Sequence, residues 1–227
     1  MSWYTYMKKV IIALPGTEFS EQFILAWTDT LLQLTKQGYN VAVISGFSDN
    51  KQFSRMNTIG IDIKRGQDQK PFDGKIEYDV WLTIDSNILF TPKQVVELIE
   101  DTDKYPIVSA IYRVNQNDLS AISNIDDELL VKHGSYPRLT KEMMDPNIKH
   151  VKVAATDLGM IACRRDALES IQYPHFFYPL VNIKTEEEEI SSIVSDSMAF
   201  CMKARDAGLE ITINTDVMVG NQQKIIM

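Results

Sequence analysis

Asp85 and Asn87 stand two residues apart in the run Ile84-Asp85-Ser86-Asn87, directly after a stretch that reads as a strand. In an extended segment that spacing points a carboxylate and a second oxygen donor the same way, and together they can hold a hard divalent cation that bridges phosphates. Such a cation neutralises the charge that builds when a nucleoside diphosphate departs. Asp85 serves equally well as a cap for the following turn. Pro15-Gly16-Thr17 follows an earlier apolar run, where a glycine turn lets backbone N–H groups approach a ligand, or simply turns the chain. Ser195-Asp196-Ser197 opens a helical stretch. Asp196 there is either a helix cap resting against the positive end of the dipole or a general base within reach of an acceptor hydroxyl.

The elements that must carry these residues follow from the periodicity. KKVIIALPG is a short continuous apolar run of the kind that forms a buried parallel strand ending at a sheet edge. A helix follows, opened by Ser20 and Glu21, with Phe23, Ile24, Trp27, Leu31 and Leu34 at helical spacing up to Gly38. NVAVISGFS and DVWLTIDSN repeat the strand pattern, whereas Gln52 to Gly60, with Arg55 and Asn57, is ambiguous. TPKQVVELIED reads as a helix capped by Thr91 with Pro92 at its first position, and PIVSAIYRV as a fourth strand. This alternation predicts an α/β sheet with right-handed crossovers.

Residues 114–150 show no sustained period and predict irregular structure with a hairpin. VKVAATDLGMIACRRDAL reads as strand, turn, strand and short helix. Ser195 to Gly208 is expected to be helical, with its methionines in the core, and EITINTDVMVG to close the fold as a strand or hairpin. In open α/β sheets ligands gather at the carboxyl ends of the strands, which is where the three candidate stretches fall.

The chain has 227 residues, 44% of them hydrophobic and 24% charged, enough to bury a core without staples and too apolar for disorder. Its net charge of −8 argues against nonspecific binding to nucleic acid or to an anionic membrane. Cys163 and Cys201 alone cannot build a zinc cluster. The seven-residue apolar run from Val10 to Gly16 is too short for a membrane span or a signal sequence, so the expectation is a cytoplasmic protein with no leader and no domain appended after Gly220.

Taken in order, these stretches resemble the GT-A type glycosyltransferases, in particular small family-2-like enzymes of bacterial and viral type. ALPGTEFSEQF is similar to their first strand and turn, YDVWLTIDSNILFTP to their DxD strand, and VSAIYR to the strand after it. SDSMAFCMKARDAGLEITINTDVMVG is similar to their closing segment, where an acidic pair opens a helix before a strand and a Gly-His. The resemblance covers nearly the whole chain. It implies an α/β, single-domain GT-A (Rossmann-like) fold with a mixed central sheet flanked by helices, residues 1–113 forming the nucleotide-sugar half and 114–227 the acceptor half.

The implied activity is transfer of a sugar from a nucleoside diphosphate sugar to a hydroxyl acceptor such as a glycan, assisted by Mn²⁺ or Mg²⁺. Carried over residue by residue, Asp85 and Asn87 fall on the two DxD aspartates with Ser86 between them. Gly220 falls on the glycine of the Gly-His, and Asn221 on the histidine that completes metal binding. Asp196 and Ser197 fall on the acidic pair whose second member is usually the base. The implied metal set is Asp85, Asn87 and Asn221. Because Asn87 and Asn221 carry no charge, metal affinity is expected to be reduced and to borrow diphosphate oxygens. Ser197 is no base, which leaves Asp196 or Asp157.

Pro15, Gly16, Thr17, Arg55, Asn57, Asp85 and Ser86 are the expected donor contacts, with Arg113 as a further cation at a strand end. His133, His150 and His175 lack mutual ligand spacing, although the aromatic turn YPHFFYP around His175 can floor an acceptor pocket or simply pack. The acidic run Glu186 to Glu189 is placed to order over a bound donor, or to remain a surface loop. The alternative reading is a noncatalytic nucleotide-sugar or glycan binding protein that kept the fold. A dinucleotide binder is disfavoured because no G-x-G-x-x-G follows the first strand.

Overall fold

The structure, a computed structural model, describes residues 7–185 and 189–222. Three strands make the first half of the sheet: the buried runs β1 (Lys9–Pro15) and β3 (Val80–Ile84) and the largely exposed edge strand β2 (Asn40–Gly46), with β1 parallel to both neighbours. Alternate residues of β1 serve opposite cores. Ile11 and Ala13 pack on one face of the sheet, Val10, Ile12 and Leu14 on the other, which is why the run shows no polar alternation.

After β3 come β4 (Ile88–Leu89), β5 (Ile107–Ile111), β6 (Asp118–Ile122), β7 (Arg138–Thr140), β8 (His150–Val153), β9 (Ala155–Thr156) and β10 (Met160–Arg164). The remaining strands are β11 (Leu180–Lys184), β12 (Glu189–Ile193), β13 (Ile211–Met218) and β14 (Gly220–Asn221). The main sheet has the order β2-β1-β3-β10-β5-β13-β8. In it β10 runs antiparallel to both β3 and β5, and β8 antiparallel to β13. The fourth sequence strand, β5, is therefore not beside β3. The later strand β10 is inserted between them, and the sheet is mixed.

Helices cover both faces. On one side lie α1 (Glu21–Lys36) and α3 (Pro92–Asp101), through Phe23, Leu34, Val95, Leu98 and Ile99. On the other lie α2 (Lys51–Thr58), α5 (Arg165–Ser170) and α6 (Asp196–Asp206), through Met56, Leu168, Phe200 and Cys201. The caps read from sequence are present. Ser20 accepts from the Phe23 N–H, and Thr91 and Gln94 form a reciprocal capping box ahead of α3. The α1 stripe is narrower than its spacing predicts, because Ile24 is exposed and Trp27 only half-buried.

The ambiguous Gln52 to Gly60 segment lies largely within α2, which begins at Lys51. Residues 114–150 hold more order than expected: β6 pairs with β7, and α4 (Asp127–His133) lies between them. That helix escapes periodicity because only Leu130 of its seven residues is buried. It is capped by Asp126 and stops at Gly134, where φ is +73°. Among the described residues, no helix is long and apolar enough to cross a membrane. Of the acidic run, Glu186–Glu188 lie outside the described residues, and Glu189 opens β12, which pairs with β11.

Candidate active site at the carboxyl edge of the sheet

The parallel strands β1, β2 and β3 deliver Pro15-Gly16, Gly46 and Asp85 to one edge. Gly16, at φ +153°, turns so close to the end of β3 that a Cβ on it would lie 2.9 Å from both Cβ and Oγ of Ser86, so only glycine fits. At the end of β2, the Gly46 carbonyl accepts from the Ser54 hydroxyl at 2.6 Å, drawing α2 against the strand. A Cβ at Gly46 would fall 2.1 Å from the Ser54 carbonyl oxygen.

That close docking brings one face of α2 over Asp85. Lys51 and Arg55, four residues apart on the helix, share that face. Arg55 Nη2 donates to both Asp85 oxygens, at 2.9 and 2.7 Å, and Lys51 Nζ lies 2.9 Å from Asp85 Oδ2. Arg55 Nε donates to Asp196 Oδ2 at 3.1 Å. Arg55 is fully buried, and both carboxylates are nearly so. The Arg55 Nη1 is also buried, without a hydrogen-bond partner among the described residues. Two cations thus balance two carboxylates brought together from β3 and α6. Buried charges in such a cluster depend on one another, since removing one partner strands the other in a medium of low dielectric constant.

Asp196 sits in the first turn of α6 but does not cap it. The cap is Ser195, whose hydroxyl accepts from the Met198 N–H at 3.2 Å, which leaves the Asp196 carboxylate to Arg55. Ser197, on the position of the missing second acid, accepts weakly from the Leu158 N–H at 3.4 Å. Asn87 and Asn221 do meet: β14 pairs with β4, and the Asn87 amide donates to Asn221 Oδ1 at 2.7 Å.

This arrangement does not fit a resident divalent cation. Asp85 is already compensated by two cations, the Asn221 oxygen is taken by the Asn87 amide, and among the described residues no group of three His, Cys, Asp or Glu side chains gathers to hold a metal.

Asp157 lies on the approach to β10 and pairs with Arg138, whose Nη1 donates to it at 2.8 Å; both side chains are part-exposed. They line a cavity of about 180 Å³ together with Tyr136, Thr156, Ser195 and Met198, immediately before Asp196. Tyr112 packs where a Cβ on Gly159 would come within 2.5 Å of its ring. Burial, with the charges of Asp157 and Asp85, pushes its hydroxyl far above the usual phenol range.

Other expected contacts lie apart. Asn57, two residues after Arg55, faces away on α2, and its amide donates to the Phe47 carbonyl at 3.2 Å. Thr17 is exposed. Arg113, past the end of β5, is exposed, and its Nη1 donates to the Gln116 carbonyl at 3.3 Å. His150 stacks on Tyr105 and lies 2.9 Å from Asp101. Within this turn His175 and Phe176 are in the core, Phe176 stacking on Phe200, whereas Tyr178 is exposed and near enough to Asp196 and Arg55 to feel their charges. Lys51, Tyr112 and Arg138 were not singled out in the sequence. For Lys51 the signal was present, as a cation four residues before Arg55 after a strand end.

No protein-family profile and no curated protein sequence matches the chain. Solved structures do. A197 from STIV superposes with a TM-score of 0.52 at 13% identity, over 97% of each chain. Glucosyl-3-phosphoglycerate synthase from Mycobacterium tuberculosis, in complex with Mn²⁺, UDP and phosphoglyceric acid, gives 0.49 at 13% identity, over 96% of this chain and 72% of that one. The 4-diphosphocytidyl-2C-methyl-D-erythritol synthase from Anaerococcus prevotii gives 0.45 at 12%, over 97% and 92%. At these identities the likeness is one of fold. The fold shared with A197 from STIV is an α/β one, here a seven-stranded mixed sheet flanked by helices.

Proposed function

We propose that the chain is a glycosyltransferase that moves a sugar from a nucleoside diphosphate sugar to a hydroxyl acceptor. The observation that carries this reading is the meeting of Asp85 and Asp196, both buried, through Arg55 at the carboxyl edge of the sheet, the edge where α/β folds bind ligands. In the reaction, the acceptor oxygen bonds to the anomeric carbon as the bond from that carbon to the diphosphate breaks. The acceptor proton passes to a carboxylate, and the negative charge goes to the diphosphate. Asp196 is the proposed base, oriented through Oδ2 by Arg55. Asp157, paired with Arg138 beside the cavity, is proposed to hold acceptor hydroxyls.

Residues 1–113 supply the donor contacts around Gly16, Ser86 and Asp85, and residues 114–227 the acceptor side. The proposed location is the cytoplasm, as the default for such a chain; its two buried cysteines fit a reducing compartment or a secreted protein equally. The test is turnover across UDP, GDP, CDP and dTDP sugars with a panel of glycan acceptors. Asp196→Asn is expected to lower kcat at least 100-fold with donor affinity little changed, the range for losing a general base, and Asp157→Asn to act mainly on acceptor KM. A reversal of those two effects would exchange their roles. One observation favours a noncatalytic binding protein instead: Asp196 is tied to Arg55, and Ser197 offers no second carboxylate. Donor binding without turnover for any acceptor would select that reading.

A further inference from the structure

We infer that Lys51 holds the donor diphosphate in place of a divalent metal, so that donor binding is metal-independent. The inference rests on the transferase reading above and deepens it. Its starting point is charge. Asp85 is the one carboxylate among Asp85, Asn87 and Asn221, the positions on which the metal-binding residues of the resembled enzymes fall. Here Arg55 reaches both of its oxygens, and the Lys51 ammonium sits 2.9 Å from Oδ2. A divalent cation approaching Asp85 has to displace the Lys51 ammonium and compete with the buried Arg55 for both carboxylate oxygens, where such contacts are screened far less than in bulk water. Asn87 and Asn221 add no charge to offset this, and their amides are joined to each other.

The four charges of the cluster balance, but the member that faces the edge, where a diphosphate would arrive, is a cation. Of the two cations on Asp85, Arg55 is fully buried, while the Lys51 side chain is 54% exposed and open to a ligand at the edge. Asp85 is then a positioning residue: it holds the ammonium at the strand end instead of holding a metal. Arg55 compensates Asp85 and Asp196 from beneath. The ammonium supplies donors to the phosphoryl oxygens and meets the negative charge that develops there as the sugar leaves. Gly16, pressed against Ser86, keeps this edge free of side-chain bulk beside the strand end.

The experiment is equilibrium binding of UDP, GDP, CDP and dTDP to the full chain, by calorimetry and thermal shift, in excess EDTA and in Mn²⁺. One diphosphate is expected to bind in EDTA, with affinity not raised by Mn²⁺ and falling as ionic strength rises. Lys51→Ala is expected to weaken that binding tenfold or more, while Lys51→Arg retains most of it. Both variants should keep the unliganded melting temperature close to that of the parent, since Lys51 is half exposed. Binding that requires Mn²⁺, or equal affinity in Lys51→Ala, overturns the inference and leaves the transferase reading standing. Failure of every diphosphate to bind in either condition overturns the transferase reading, and the inference with it.

Discussion

Arg55 and Arg138 each pair with an aspartate of the candidate site, and their burial sets them apart. Arg55 is fully enclosed between Asp85 and Asp196, whereas Arg138 and Asp157 are each more than a quarter exposed. Exposed pairs are screened by water and contribute little, while breaking a buried pair strands an uncompensated charge. Arg55→Met is therefore expected to destabilise the protein by about 3–5 kcal/mol, because two buried carboxylates lose their partner. Arg138→Met should cost under about 1 kcal/mol. Urea unfolding of the two variants checks this, and equal losses would mean that the Arg55 cluster is more hydrated than its burial indicates. At this scale the sequence was informative about residue types and silent about pairing. Asp85, Asp196 and Arg55 all stand out as candidates in the chain, but nothing local says that Arg55 will join the other two.

Among the elements, α2 decides what the site contains. Its apolar content is low, so its period was not legible, and its N-terminal Asn50 makes no side-chain cap bond. What docks it is the absence of a side chain at Gly46, which lets the Ser54 backbone and hydroxyl close on the end of β2. Gly46→Ala puts a methyl 2.1 Å from the Ser54 carbonyl oxygen and should cost about 1–3 kcal/mol, as over-packed sites do. It should also weaken nucleotide binding, since α2 must retreat and take Lys51 and Arg55 with it. A variant with unchanged stability and affinity would show that the helix can shift without disturbing the cluster. By contrast, α3 was readable in full, because its cap, its proline and its buried stripe are all local features.

For the molecule as a whole, the core behind the site makes its own contribution to stability. His175 is completely buried among aromatic rings, and burial pulls its pKa down from 6.5 to about 4. The folded state therefore holds the imidazole neutral at a pH where the unfolded chain protonates it. This term is neutral above about pH 6.5 and destabilises progressively as the pH falls toward 4. The expected slope is roughly 1.4 kcal/mol per pH unit, or about 2 kcal/mol between pH 6.5 and pH 5. Comparing urea midpoints of the parent and His175→Phe at those two pH values isolates it, and parallel losses in both proteins would place the acid sensitivity elsewhere.

The sequence by itself determined the α/β class, most strands, the caps of α1 and α3, and the candidate carboxylates. Hydrophobic runs, caps and turns act over a few residues and so are written locally. The pairing of β14 with β4, which sets Asn221 beside Asn87, belongs to the tertiary structure. Only the tertiary structure decided that antiparallel β10 enters between β3 and β5, because that choice depends on contacts between distant segments. The same holds for the charge of the site. Whether Asp85 faces a metal or an arginine and a lysine depends on which helix is drawn over the strand end, and that is set by a glycine and a serine on another strand and helix.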